Sequence, residues 1–549
     1  MALVDPRNND YDVSKLQSAS IIGHVTPNSA RIWIRVYRPG PWTLVWTKKR
    51  IIGDLAKLGG AKNPLAKFIA PFDCASASHT FSWEEDLTHT FDLTRLEANT
   101  EYFYYLMTDE GDGTDTFRRT EIGCYKTLSF RTTAKRMPEF NFGFYSCHDP
   151  YNANGSYGAW PLFVERMDSA QARFAIGGGD QVYVDSQDSK YFPDVWKWLK
   201  DNKEALLAEC SVKGKLDEAK LAAYLLNLYR WYYRVYWKFP HLQDAFARYP
   251  QYMIWDDHEI MDGWGSRTNA QRIDLITRFF QRDDPATDQK LVDAMWSAAR
   301  TAYFEYAHSH NPDTGVTREL LAKPDDCIWD YSFEQGGVPF YVLDLRGHHD
   351  VENPQKKNYL LGSGQLARFE AWLTAAGKSA SPLLFVVSPV PFVHWKSFVM
   401  TAGSMVPSAK DDVMDEWDHP SNHADRDHLL EQAFKALDKR GKTLVFISGD
   451  VHCAAAFRLS NAKYPNASIC QVTSSAISRR PAGKMASSVI ARSGTLYNND
   501  EVYFEHLFSH SEDKNFALFK VGAGGALTVE LCWPGGEQGE AVVKSIRLR

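Results

Sequence analysis

The 549-residue sequence predicts an α/β domain with helices covering a sheet, preceded by a small all-β sandwich. Three observations predict it. Residues 17–133 carry short runs rich in β-branched and aromatic residues, without a helical pattern. From residue 138 onward, short continuous apolar runs alternate with longer helical stretches. Several of those runs end in residues able to hold a metal.

The first region reads as strands around Ser18–Val25, Ser29–Tyr37 and Thr43–Lys49, then His89–Leu96, Glu101–Thr108 and Lys126–Thr132. Turn signals separate them: Pro27-Asn-Ser, Pro39-Gly-Pro, Glu97-Ala-Asn-Thr and Glu110-Gly-Asp-Gly. Six or more strands with no helix between them suggest a β-sandwich, placed at residues 15–133. The phrase from Leu93 to Tyr105 resembles the corner of fibronectin type III-like domains, with Ala98 where a proline is usual.

A linker at Thr132–Pro138 opens the second region, 138–549. Strands buried on both faces read as unbroken apolar runs, and Phe140–Ser146, Ala172–Asp180, Tyr252–Asp257, Pro339–Arg346, Ser381–Ser388 and Thr443–Asp450 all do. Residues 190–247 form a helical insertion. Its Tyr224, Leu228, Trp231 and Val235 recur at helical spacing and are expected to pack in a core. The tail from Phe516 to Arg549 reads as β-hairpins.

Composition excludes several classes. Hydrophobic residues at 44% and charged residues at 24% exclude a disordered chain, a collagen and a coiled-coil rod. A net charge of −6 gives no sign of a protein that grips nucleic acid through its overall charge. Aromatics reach 13%, a surplus best used in core packing. The longest apolar run, Pro382–Trp395, is too short for a membrane helix and is broken by Pro389 and Pro391. The start shows no secretory signal, and the eight scattered cysteines include no CxxC pair. A reduced, cytoplasmic protein is therefore expected.

Chemistry concentrates where strands end. The first run leads into Cys147-His148-Asp149 and the second into Asp180 and Tyr183. The third leads into Asp256-Asp257-His258-Glu259, and the last into Asp450 and His452. Ligands of open α/β sheets bind outside the carboxyl ends of strands. Each group alone reads as an inert thiol, a turn residue or a helix cap. Together they predict a metal site, because adjacent acids such as Asp256 and Asp257 repel unless a cation or base offsets them. His394, His419, His423 and His428 read as mostly surface or supporting residues.

These segments resemble the alkaline phosphatase D (PhoD-like) family of calcineurin-like metallophosphoesterases. Gly179-Asp180-x-x-Tyr183, Trp255-Asp-Asp-His-Glu259 and Ser448-Gly-Asp-Val-His452 carry the resemblance. Tyr145-Ser-Cys147-His-Asp, Leu343-Asp-Leu-Arg346, Ser388-Pro-Val-Pro and Asp415-Glu-Trp417-Asp-His-Pro420 with Arg426 add to it. Order and spacing match over about residues 15–530.

The resemblance implies a metallophosphoesterase sheet sandwich flanked by helices, with a multinuclear centre. Cys147 and Tyr183 would bind ferric iron (Fe3+), and Asp180 would bridge to a neighbouring ion. Asp257, Asp450 and His452 would complete the site, with calcium (Ca2+) or another divalent metal as the second ion. His258 takes the catalytic histidine position, and Arg346 is the candidate phosphate clamp. Where the family shows Asn-Asn before a Trp, this chain reads Met261-Asp262-Gly263-Trp264, so Asp262 is expected to stand in as an oxygen ligand. Consecutive arginines of the family reduce here to Arg300. The implied reaction is hydrolysis of phosphate mono- or diesters by metal-bound hydroxide. The rival readings are a degenerate phosphoesterase acting as a binding protein, and a nuclease-like phosphodiesterase.

Overall fold

The computed structural model describes residues 18–49, 74–107, 128–137, 139–152, 157–186, 193–213, 215–280, 285–349, 352, 360–403, 413–414, 416–535 and 540–549. The turn expected at Glu110, the first residue of the Asp415–Pro420 segment and Cys124 lie outside them.

Among the described residues, seven strands build the N-terminal unit as two sheets. Ala19–Val25, Ser29–Arg35 and Thr88–Thr94 form one; Gly40–Thr47, Ala75–Phe81, Glu101–Met107 and Ser129–Arg131 form the other. Their inner faces close over Ile22, Ile32, Trp42, Leu44, Phe91, Tyr104 and Phe130. The corner phrase takes up the expected fastening, with the Glu97 backbone N–H donating to the Tyr102 hydroxyl at 2.9 Å.

The remainder is a sandwich of two larger sheets. In the six-stranded sheet, Gln251–Ile254, Phe174–Gly178 and Phe140–Tyr145 run parallel, and Phe516–Val521, Leu527–Gly535 and Glu540–Arg547 continue it antiparallel. The eight-stranded sheet has a parallel centre of Val338–Val342, Leu383–Val387, Thr443–Ser448 and Ser468–Ser474. Phe142 shows how the sheets meet. It stacks on Phe174 and Phe519 within its own sheet and meets Phe340 and Phe385 of the other edge-on at 5.5 and 5.3 Å. The outer face of the eight-stranded sheet is covered by the helices Gly362–Lys378 and His423–Asp438.

Five strands of that sheet carry no signal in the sequence reading: Tyr331–Gln335, Ala454–Asn461, Ser468–Ser474, Gly494–Leu496 and Asn499–His510. Alanine, serine and asparagine are weak strand formers, and here pairing to neighbours decides the structure. The insertion folds as the helices Val195–Glu209, Glu218–Tyr236 and Pro240–Arg248. Leu228, Trp231 and Val235 are buried as expected, while Tyr224 is half-buried and donates its hydroxyl to Glu209. No helix among the described residues is long and apolar enough to cross a membrane.

The sandwich and the α/β unit are joined by buried charge. Asp86 takes the Arg234 guanidinium at 2.6 Å on both oxygens and the Tyr306 hydroxyl as well. Arg230 holds Glu305 at 2.5 Å and the Glu84 carbonyl at 2.7 Å, and the Trp33 indole donates to the Glu305 carbonyl. Burial opposes ionisation of Asp86, but Arg234, Arg35 and Arg230 prevail and hold its pKa at about 2. The stability its charge supplies is therefore full above the ordinary value of 3.8 and is lost as pH falls through about 2. Asp86→Ala strands buried Arg234 and is expected to cost about 3–5 kcal/mol in chemical denaturation. Asp86→Asn should differ less from the unsubstituted protein as pH falls from about 4 toward 2.

Candidate metal centre

Four strands deliver the site residues to one edge shared by both sheets. Phe140–Tyr145, Phe174–Gly178 and Gln251–Ile254 supply Cys147, Asp180 and Asp256–His258 from the six-stranded sheet, and Thr443–Ser448 supplies Asp450 and His452 from the other. The backbone turns sharply after each of three strands. Cys147, Asp180, Asp450 and His452 all have left-handed φ, between 52° and 61°. Non-glycine residues in that region cost of order 1 kcal/mol or more each, so surrounding contacts must impose it. Gly179 has φ 110°, and a Cβ there would lie 2.8 Å from that of Asp256; one on Gly449 would meet Ser146 Oγ at 2.4 Å. Gly179 thus lets two neighbouring turns of the six-stranded sheet approach, and Gly449 lets the two sheet edges close on each other.

Glu259 ties the loops together. Its carboxylate accepts the backbone N–H groups of Asp180, Gln181 and Asp256 at 3.2, 2.5 and 2.9 Å. It stood in a recognisable motif, but nothing in the sequence showed this role.

The gathered side chains form three overlapping groups whose donor atoms lie within 4.8 Å of one another: Cys147, Asp180 and His452; Asp180, Asp257 and His258; Asp180, Asp256 and Asp450. Asp180 belongs to all three. Its Oδ2 takes the Cys147 thiol at 3.4 Å and the Tyr183 hydroxyl at 2.7 Å, and that hydroxyl is 3.4 Å from His452 Nε2. Its Oδ1 is buried without a hydrogen-bond partner among the described residues, as is Asp256 Oδ2. Burial drives the carboxyls of Asp180, Asp256 and Asp450 up, and repulsion from neighbouring acids, Asp257 for all three, adds to it against His258 beside Asp180 and Arg346 beside Asp256. Burial, then Asp180, pushes the Cys147 thiol and the Tyr183 phenol up as well. Cations placed among them would reverse each of these shifts. Orphaned carboxylate oxygens beside a thiol, a phenol and a neutral imidazole fit metal ions. Burial, with Arg479 and His258, holds His452 well below the ordinary range and so uncharged.

His258 is different in kind. Its Nδ1 lies 2.8 Å from Asp185 Oδ1. Burial disfavours its charge, but Asp185, Asp257 and Asp180 outweigh burial and raise its pKa well above the usual value. Asp257 in turn resists the upward push of burial, because His258 and Arg346 hold it below the carboxylate range.

The remaining expected residues fall elsewhere. Asp262 is in none of the three groups; its side chain is 43% exposed and pairs with Arg267, while its backbone N–H donates to Asp185. Arg346 is buried beneath the acids, with Nε on Asp256 Oδ1 at 2.5 Å and Nη1 on the Trp264 carbonyl at 2.9 Å. Arg300 stacks on Trp296 and reaches the Leu321 carbonyl. Trp417 donates to Ser388 Oγ, and buried Arg426 pairs with Asp418 and Asp427. His419, His423 and His428 bond to Ser421, the Asp418 carbonyl and Glu370. His394 departs from the surface reading, being only 1% exposed. None of these four histidines joins a metal-capable group.

Three residues of the site went unread in the sequence. Asp185 orients His258, Ser475 donates to Cys147 Sγ at 2.9 Å, and the Arg479 guanidinium lies 4.2 Å from the Tyr183 ring centre. The spacing of Asp185 five residues after Asp180 was the available signal; Ser475 and Arg479 lie in a segment with none.

Sheets stacked in this order, with thiol, imidazole and carboxylates at a common edge, define a sheet sandwich of the metallophosphoesterase kind. The sequence profile of PhoD-like phosphatases matches residues 142–516, and the chain belongs to that family. In overall fold it is similar to a solved structure of PhoD, with a TM-score of 0.61 at 16% identity over 98% of this chain and 90% of that one. It is 22% identical over 318 residues to the uncharacterized protein YGR266W of Saccharomyces cerevisiae. That match covers 52% of this chain and 45% of the yeast protein, so the chain spans less than half the length of that relative.

Glu259→Ala removes no candidate ligand yet frees the loops that carry them. Metal titration is expected to show affinity reduced by about 10- to 100-fold, as for other residues that hold ligands in place.

Proposed function

We propose that this protein hydrolyses phosphate mono- or diesters at a centre of two or more metal ions. The observation that carries the reading is the sharing of Asp180 among three metal-capable groups, with its Oδ1 buried and unpartnered. Cys147, Tyr183 and His452, with Asp180, would hold the softer ion, for which ferric iron is suited. Asp256, Asp257 and Asp450 form an all-oxygen side suited to calcium. Bound there, such ions supply an activated water near neutral pH and offset phosphoryl charge.

The chain's own groups do the rest. Asp185 fixes the His258 ring through Nδ1 and favours its charged form, which leaves Nε2 to carry a proton for the departing alkoxide. Arg346 lies under Asp256 and Asp257 as a counter-ion that holds them together. In this reading the unit at 138–549 is catalytic and the sandwich at 15–133 is a scaffold. Asp262 supports Arg267 rather than a metal. Cys147, Cys210, Cys327, Cys453, Cys470 and Cys532 are free thiols, which supports a reducing, cytoplasmic location.

The metal-loaded protein is expected to hydrolyse bis(p-nitrophenyl) phosphate or p-nitrophenyl phosphate, and Asp180→Asn to abolish turnover together with metal content. His258→Ala should keep its metal and lose about 10²- to 10⁴-fold in kcat. A fully loaded protein that turns over neither ester would contradict the proposal.

A further inference from the structure

Phosphoester hydrolysis needs a donor for the non-bridging oxygens, and Arg346 is poorly placed to be that donor. It is 3% exposed, and its Nε and Nη1 are committed to Asp256 and the Trp264 carbonyl. Arg479 is placed otherwise. It follows the strand Ser468–Ser474, and its backbone N–H donates to the Cys147 carbonyl at 3.2 Å, which anchors it at the metal-capable cluster. The guanidinium lies over the ring of Tyr183, whose hydroxyl touches Asp180.

One end of that guanidinium is fixed. Nη1 donates to Asp149 Oδ2 at 3.0 Å. Asp149 is itself fully buried and immobilised by Ser186 Oγ at 2.7 Å, the Asn152 N–H at 3.1 Å and the Tyr236 hydroxyl at 3.3 Å. The other edge is not engaged: Nε and Nη2 make no hydrogen bond among the described residues, and the side chain is 21% exposed. Nε–H and Nη2–H form the parallel pair that matches two oxygens of a phosphoryl group. A guanidinium stacked on an aromatic ring, pinned at one end and open along this edge is organised before any anion arrives.

We propose that Arg479, rather than Arg346, grips the non-bridging phosphoryl oxygens of the substrate through its Nε/Nη2 edge, with Asp149 as its positioning residue. This rests on the reading of the site as a phosphoesterase centre. It also explains why the thinning of the family's consecutive arginines to Arg300, which packs on Trp296, leaves the centre supplied with a cation.

The test is calorimetric titration of the metal-loaded protein with inorganic phosphate, beside turnover of bis(p-nitrophenyl) phosphate. Arg479→Met is expected to weaken phosphate binding at least about tenfold, the loss of a charge-assisted contact, at unchanged metal content. Arg479→Lys should retain part of the affinity, because an ammonium keeps the charge and loses the paired edge. Added guanidinium should restore turnover to Arg479→Met. Asp149→Asn should weaken phosphate binding on its own and add little to Arg479→Met, since the two act as a unit. Phosphate affinity within about twofold of the unsubstituted protein in both Arg479 variants, or no phosphate binding by the unsubstituted protein, overturns the proposal. If the unsubstituted protein binds phosphate but turns over no ester, the catalytic reading fails, and the titration alone decides Arg479.

Discussion

The constraint on which the molecule depends is the burial of acids against one another. Asp180, Asp256, Asp257 and Glu259 are buried at one edge and half-buried Asp450 joins them, with Glu416 near enough to push Asp450 further up. Arg346, His258 and Arg479 are the cations around them. Unpaired buried charge is far too costly to persist in a dry interior. Positive ions held between the carboxylates would resolve the conflict, and Asp180 Oδ1 and Asp256 Oδ2, which have no hydrogen-bond partner among the described residues, are atoms suited to hold them.

The fold exists to hold that conflict in place. Two sheets locked by interleaved aromatic rings bring their strand ends to a common edge, and the turns beyond them pass through left-handed backbone at four site residues. Strain of this kind persists only when contacts over-determine it. Glu259 supplies such contacts on one side, and the donation of Ser475 to Cys147 supplies one on the other. The N-terminal sandwich contributes at a distance, through Asp86 and Trp33, to the helices Glu218–Tyr236 and Pro285–Tyr306 that pack beneath the site.

Much of this was legible in the sequence, for physical reasons that differ by element. The strands ending at Cys147, Asp180, Asp256 and Asp450 are continuous apolar runs followed by chemistry, a pattern that buried parallel strands impose. The tyrosine corner was legible because its spacing is tied to one hydrogen bond. Ala454–Asn461 and Asn499–His510 were not, since their pairing partners rather than their own residues make them strands. Within the site, Cys147, Asp180, Tyr183, Asp256, Asp257, His258, Asp450 and His452 come together, whereas Asp262 points to Arg267 and Arg346 lies underneath. The direction of a side chain after a strained turn is set by three-dimensional closure, which spacing does not encode. Arg479 was missed for the same reason: its relation to Asp149, more than three hundred residues earlier, exists only in the folded chain.

The most direct test of the central claim is anomalous diffraction from crystals of the metal-loaded protein, with data on both sides of the iron edge. At least two ions are expected, each with an oxygen of Asp180 in its coordination shell at about 2.0–2.6 Å. One should lie against Cys147, Tyr183 and His452, and the other among the neighbouring carboxylates. A centre with no ion, or with ions that do not share Asp180, would contradict it.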